Sequence, residues 1–328
     1  MISIVIPTYN SEKTIGEVLD SLFREIRRYR RKVEVIVVDD GSTDSTLQIV
    51  KKYPVRVIKQ RHKGPAAARN LGWKKAKGDI VIFLDSDCKV GRGWLKKMLK
   101  PFKDGKVAGV GVKYRTWNKE NWVARFVGYE IEQRQNRMGK DTDYLASYST
   151  AYRKDVLEEV NGFDTSFKAA AAEDNDLSYR VIGKGYRLVF LKECFVWHKH
   201  PESLRVYYKK QFYQAMWRVF LYLKWLRKRP KVLMGDQYAG METLFQPFIP
   251  AFLLLSLFLF PSIFPFILLL SFLIHIPASY FVLRKGDWVG CLIPFLFFLR
   301  SIIWCLGMMV GIALFIKKSL LKYLIGGV

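Results

Sequence analysis

The chain has 328 residues, a formal net charge of +25 and 50% hydrophobic residues. Its four cysteines (Cys88, Cys194, Cys291 and Cys305) lack metal-site spacing and imply no disulfide framework. So large a basic excess points to polyanionic partners; no RNA- or DNA-binding motif accompanies it, so anionic lipid headgroups and phosphorylated substrates are expected rather than nucleic acid.

In chain order, residues 2–9 read as an apolar strand, residues 12–29 as a helix with apolar positions Ile15, Val18, Leu19, Leu22 and Ile26, and residues 33–38 as a second strand. The first strand begins at residue 2, so no N-terminal signal peptide is expected. Near-continuous apolar strands alternating with helices predict an α/β domain, a mostly parallel sheet with helices on both faces. The second strand runs into Asp39-Asp40-Gly41-Ser42-Thr43-Asp44, a glycine turn and a helix start. Its short acids can accept from a base N–H or ribose hydroxyls, whereas an ordinary turn needs only Asp44 as N-cap. A third apolar strand, residues 79–84, ends in Asp85-Ser86-Asp87, at the C-terminal edge where such sheets bind ligands. Two acids one residue apart can hold a divalent cation, which a diphosphate needs for neutralisation, though the pair alone also fits a solvated turn. Further on, Glu173, Asp174 and Asp176 crowd one helix start. Capping and the helix dipole account for one or two of those acids, which leaves a catalytic carboxylate as the reading of the rest.

Five segments occur in a telling order: residues 5–10, 37–44, 64–72, 85–87 and the pair Glu173-Asp174. Together they resemble the family 2 glycosyltransferases, enzymes with the GT-A nucleotide-sugar fold, over roughly residues 1–200. The resemblance implies that Pro7, Thr8 and Tyr9 line a nucleoside pocket, that Asp39 contacts the base and that Asp85 and Ser86 lie near the ribose. It implies that Asp87, with Asp85 beside it, ligates Mg2+ or Mn2+, and that Asp174, paired with Glu173, is the catalytic base. Arg69 is expected to support the nucleotide-binding acids, the alternative being a helix-surface cation. His198 follows an apolar run where relatives often carry a His near the metal or diphosphate, and a surface His in a basic loop is equally open. Gly162-Phe163-Asp164 resembles the loop such enzymes use near the acceptor. The implied chemistry is inverting direct displacement, which needs no covalent nucleophile. The chain departs from the pattern of processive polysaccharide synthases, since Gln211 to Arg218 carries Trp217-Arg218 where those enzymes have Arg before Trp. A single-transfer enzyme is therefore expected, with a processive synthase as the alternative.

The C-terminal third changes character. Residues 245–283 contain no Lys, Arg, Asp or Glu, and residues 288–316 only Arg300. A crossing takes roughly 20 residues, so about three spans are expected, near 245–262, 263–283 and 289–316, with a turn at 260–265. Ahead of them, residues 202–231 mix aromatics with Arg205, Lys209, Lys210, Arg218, Lys224 and Arg227 to Arg229, as an interfacial amphipathic helix does. The same cations, with Arg284-Lys285, favour the cytoplasmic side for the catalytic domain. Lys317, Lys318 and Lys322 would then lie outside after three full crossings, and a re-entrant last segment is the alternative. The expected organisation is a GT-A catalytic domain at 1–201, an interfacial region at 202–243 and an all-α transmembrane region at 244–328, a multi-pass protein of the cell membrane. The expected function is transfer of one sugar from a UDP- or GDP-sugar to a polyprenyl or dolichyl phosphate, or to its glycosylated diphosphate, in a lipid bilayer. A reading from another class is a nucleotide-sensing transporter subunit, for which His275 and Arg300 inside apolar segments speak.

Overall fold

The structure, a computed structural model, describes residues 1–167, 171–228, 237–238 and 245–325, with side chains as far as Lys317. Arg229, and the side chains of Lys318 and Lys322, lie outside the described residues. The chain divides into two compact units, one of residues 1–117 and 135–199 and one of residues 118–134 and 200–328. The stretch expected to be a single catalytic domain thus lends residues 118–134 to the C-terminal unit.

In the first unit, β1 (Ile2–Thr8), β2 (Val33–Asp39), β3 (Arg56–Lys59) and β4 (Ile80–Leu84) form a parallel run in the order β3-β2-β1-β4. The helices α1 (Ile15–Tyr29), α2 (Thr46–Val50) and α3 (Pro65–Lys75) connect them. Alternate residues serve opposite faces: Ile4, Ile6, Val35, Val37 and Ile82 share a core with Ile15, Val18, Leu19 and Leu22 of α1. On the other face α3 lies tight against the sheet, because a Cβ at Gly72 would fall 2.2 Å from Val5 Cγ1. Both faces being covered is why these strands are apolar at nearly every position.

Beyond β4 the sheet is mixed rather than parallel. It continues through β8 (Ser149–Arg153), β6 (Val107–Thr116), β9 (Arg187–His198) and β5 (Cys88–Val90), with β7 (Asp141–Thr142) pairing off the path on β9. β8 runs antiparallel to both β4 and β6, and β5 antiparallel to β9. The short helices α4 (Trp94–Leu99) and α6 (Lys154–Glu159) and the longer α7 (Glu173–Gly183) complete this unit.

The second unit is helical. It contains most of α5 (Trp122–Arg137), α8 (Leu204–Trp225), α9 (Ile249–Leu259), α10 (Phe264–Leu273), α11 (Ile276–Leu283) and α12 (Ile293–Ile325). Two helical runs are long and apolar enough to cross a membrane, Phe264–Leu283 with 20 residues and Trp288–Lys317 with 30, while Gln246–Leu259 is shorter than either. α8 does not present its apolar side alone, since that side packs on α12. A Cβ at Gly307 or Gly311 would lie 2.6 Å from the carbonyl oxygens of Phe212 and Met216 respectively, so small residues one turn apart let the two backbones meet. Arg205, Lys209, Lys210, Tyr213 and Lys224 remain exposed on α8, and Gln211 is buried, accepting from Trp304 Nε1 at 2.8 Å. Deeper in this unit Glu130 of α5 is gripped by Arg300 of α12, by Arg134 at 2.5 Å and by Tyr207 Oη at 2.7 Å. Gln246 Oε1 accepts from Arg300 at 2.8 Å. Arg300, set apart in the sequence as a candidate transport group, is therefore held by a counter-ion from α5.

Candidate active site

The chain order places a switch between β1 and β4: α1 carries the chain to β2 on one side of β1, and α3 returns it to β4 on the other. At such a switch the loops diverge and leave a crevice at the strands' C-terminal ends. Thr8 and Asp39 are register partners there, and Asp40 N donates to Thr8 O at 2.8 Å. Tyr9 follows at 46% exposure, its ring stacked on His62 at 4.1 Å between centroids. Asn10 takes φ 47°, an uncommon value for a residue with a side chain, and its Oδ1 accepts from Thr43 N at 2.9 Å, bracing the two loops against each other. Pro7 is half-buried, Thr8 and Asp39 are buried, and Asp39 accepts from Ser42 N at 3.3 Å.

Asp40 serves a different purpose from its neighbour. Its carboxylate accepts from Gln60 Nε2 at 2.6 Å, Lys63 N at 2.8 Å and Gly64 N at 2.9 Å, with His62 Nδ1 at 2.9 Å. It therefore fixes the loop that carries His62 and starts α3. Gly64, at φ 91°, makes the turn that an L side chain would strain.

From α3, Arg69 reaches into the crevice fully buried. It donates to Asp85 Oδ1 at 2.8 Å and to Glu173 Oε1 at 3.1 Å, joining the end of β4 to the start of α7. Arg69 is thus the support for the acids and not a surface cation. The same helix anchors the Gly162-Phe163 turn, with Asn70 Nδ2 donating to Phe163 O at 2.7 Å and Asn70 Oδ1 accepting from Phe163 N at 2.9 Å. Glu173 is buried, its Oε2 without a partner among the described residues, and burial with Asp174 beside it pushes its carboxyl well above the usual range despite Arg69. Asp174 is more accessible. Burial raises its carboxyl too, against Arg69, the Tyr144 hydroxyl at 3.1 Å and the Asn175 N–H at 3.0 Å. Ala172, just before this pair, holds φ 72°, a left-handed backbone of the sort that clusters at functional sites.

Asp87 lies apart from Asp85. Strand β5 pairs with β9 so that Cys88 faces His198, and Asp87 Oδ2 stands 3.4 Å from His198 Nε2. Asp87, Cys88 and His198 offer ligand atoms all within 4.8 Å of one another. The carboxylate suits Mn2+ or Mg2+, while burial pushes the Cys88 thiol well above its ordinary value. Asp85 is engaged by Arg69 instead, and Ser86 shares a hydrogen bond of 2.8 Å with Ser11.

The structure therefore brings Thr8, Tyr9, Asp39, Asp85, Asp87, Glu173, Asp174 and His198 to one edge of one sheet, with Pro7, Arg69 and Ser86 supporting them. Asp40, His62 and Tyr144 are parts the motifs did not single out. Asp40 stood beside Asp39 in the turn, and the other two carry no local signal.

Comparison with known proteins agrees with this geometry. The model of glycosyl transferase family 2 matches residues 3–160. Pre-mycofactocin glycosyltransferase of Mycobacterium tuberculosis is 34% identical over 224 residues, 65% of this chain and 46% of that protein. Poly-β-1,6-N-acetyl-D-glucosamine synthase of Staphylococcus aureus is 25% identical over 254 residues, 74% of this chain and 58% of the other. The chain thus spans about half the length of the curated relatives it matches. Among solved structures, the mannosyltransferase PcManGT of Pyrobaculum calidifontis, in complex with GDP-Man and Mn2+, superposes with a TM-score of 0.64 at 21% identity, covering 95% of this chain and 86% of its own, which shows a shared fold. Residues 3–160 thus form a glycosyl transferase family 2 domain, and the first unit has the GT-A fold.

Proposed function

We propose that this chain is a membrane-anchored, inverting glycosyltransferase that moves one sugar from a nucleotide-sugar to a lipid-linked acceptor. The observation that carries the reading is the convergence at one sheet edge of a half-buried carboxylate on a helix start, Asp174, with a separate carboxylate–imidazole pair, Asp87 and His198. Tyr9, 46% exposed, offers a ring face to a base, with Pro7 and Thr8 completing the nucleoside pocket. Asp39 accepts from the base, and Asp85 with Ser86 faces the ribose. Asp87 and His198 would hold Mg2+ or Mn2+, which when bound neutralises the charge of a departing diphosphate. Asp174 takes the proton of the acceptor hydroxyl as that oxygen bonds to the anomeric carbon. The bond from that carbon to the diphosphate breaks, and its electron pair leaves with the nucleoside diphosphate. A phosphate acceptor is already ionised, and Asp174 then orients it. Arg69 and Glu173 lock the two acidic elements together.

The lipid acceptor follows from the helical unit. Two apolar helices of crossing length and the cation-rich exposed side of α8 would keep the transferase at a membrane, where a lipid-linked acceptor stays within reach. The basic residues flanking these helices favour a cytoplasmic catalytic unit.

The test supplies the full chain in nanodiscs with Mn2+, GDP-mannose or UDP-N-acetylglucosamine, and polyprenyl phosphate, and identifies the lipid product. One sugar per lipid is expected. Long polymer would favour a processive synthase, and binding of nucleotide without turnover would favour a sensor. Asp87→Asn should raise the Mn2+ needed for half-maximal activity at least about tenfold, and an unchanged metal requirement would remove Asp87 from that role.

A further inference from the structure

We infer that Tyr144 is a positioning residue for Asp174, fixing how that carboxylate is presented to the incoming acceptor oxygen; this rests on the reading of Asp174 as the acceptor-side base. Tyr144 is 8% exposed, and its Oη donates to Asp174 Oδ2 at 3.1 Å while Asp174 Oδ1 accepts from Asn175 N at 3.0 Å. Among the described residues each carboxylate oxygen is thus held by one donor, which stops the group from rotating and leaves lone pairs for a substrate.

The turn that carries the phenol is itself held. Thr142 ends β7, and its hydroxyl donates to Tyr144 O at 3.2 Å and accepts from Tyr144 N at 3.4 Å. The next residue, Leu145, donates its N–H to Ser178 Oγ at 3.1 Å. The turn therefore grips α7 at Asp174 and Ser178, four residues and about one helical turn apart. A residue needed only for packing would not require a hydroxyl aimed at a carboxylate. Among the described residues, the charged and titratable groups around Asp174 include Arg69 from α3, Glu173 on its own helix, Tyr152 from β8 and Tyr144. Arg69 and Tyr144 both favour the ionised form against burial, and Tyr144 alone belongs to no sequence motif.

The experiment uses the full chain in detergent with Mn2+. It follows release of nucleoside diphosphate from GDP-mannose and UDP-N-acetylglucosamine against pH, with water as acceptor. Tyr144→Phe keeps the ring and removes only the hydroxyl. Loss of one hydrogen bond to a charged group should lower kcat about tenfold, leave the donor KM unchanged and move the acidic limb up by about one pH unit, because a base that is harder to ionise becomes active only at higher pH. In an Asp174→Asn background the same change should add no further loss, since the two act as one unit. A Tyr144→Phe enzyme with an unmoved acidic limb, or additive losses in the double variant, overturns the inference and leaves the proposed function standing. A wild-type chain that binds and turns over neither donor overturns both.

Discussion

Arg69 at the sheet edge and Arg300 in the helical unit are both buried and both paired with a glutamate, yet the two clusters differ in which charge is in excess. Arg69 faces Asp85 and Glu173, with Asp174 close behind, so acids outnumber cations. Glu130 faces Arg134 and Arg300, so cations outnumber acids. The carboxylate oxygens differ too. Both oxygens of Glu130 are taken, by the two arginines and Tyr207, whereas Glu173 Oε2 has no partner among the described residues. Arg300 and Arg134 consequently hold Glu130 below the usual carboxylate range although burial alone would raise it, while Glu173 and Asp174 are raised. A cluster whose carboxylate has both oxygens engaged is a staple. A cluster with surplus acid at a crevice is suited to take a proton from outside.

Breaking the staple should give the largest effect. Glu130→Ala leaves the buried Arg300 and the half-buried Arg134 without a counter-ion, a change that costs about 3–5 kcal/mol in comparable buried pairs. Thermal denaturation in detergent checks it, and wild-type stability in the variant would deny that Glu130 holds the helical unit together. Glu130→Gln combined with Arg300→Met should recover part of the loss, because only Arg134, half-buried, then remains without its counter-ion.

At the sheet edge the effect should fall on turnover instead. Asp174→Asn should reduce nucleoside diphosphate release about hundredfold or more with little change in donor affinity, since the role proposed for the lost group is on the acceptor. Equilibrium binding of the donor separates the two, and a variant that loses binding but keeps turnover at saturating donor would reverse the assignment.

The smallest effect concerns Glu173 and sharpens the contrast. Its folded carboxyl is raised above the unfolded value of about 4.3, so the fold binds this proton more tightly. That stabilising contribution is complete below the unfolded value and is lost as pH rises through the folded one. Glu173→Gln should therefore melt with wild type at about pH 4 and above it at neutral pH, by about 2–4 °C for each kcal/mol recovered. A difference in Tm that stays constant across that range would mean Glu173 is not raised.

The acids of the site were legible because they sit where local rules speak. Asp39 and Asp85 end apolar strands, and Glu173-Asp174 begin a helix, and each feature lies within a few residues of the pattern that marks it. The parallel run β3-β2-β1-β4 was legible for the same reason, since strands apolar throughout imply covered faces. The mixed half was not: β5 has 3 residues and β7 has 2, too few to show a period. Those two short strands nonetheless bring His198 to Asp87 and lead into the turn that carries Tyr144.

The sequence by itself determined which chemistry was available: carboxylates at strand ends, an acid-rich helix start, a basic helix and long apolar runs. Tertiary structure alone decided which of those groups meet. Arg69 finds Glu173 across 104 residues, and Glu130 finds Arg300 across 170, linking a helix expected in the catalytic domain to the apolar C-terminal third. Such pairings depend on sheet order and on helix packing rather than on any neighbour in the chain. A motif can therefore announce a charge long before anything announces its partner.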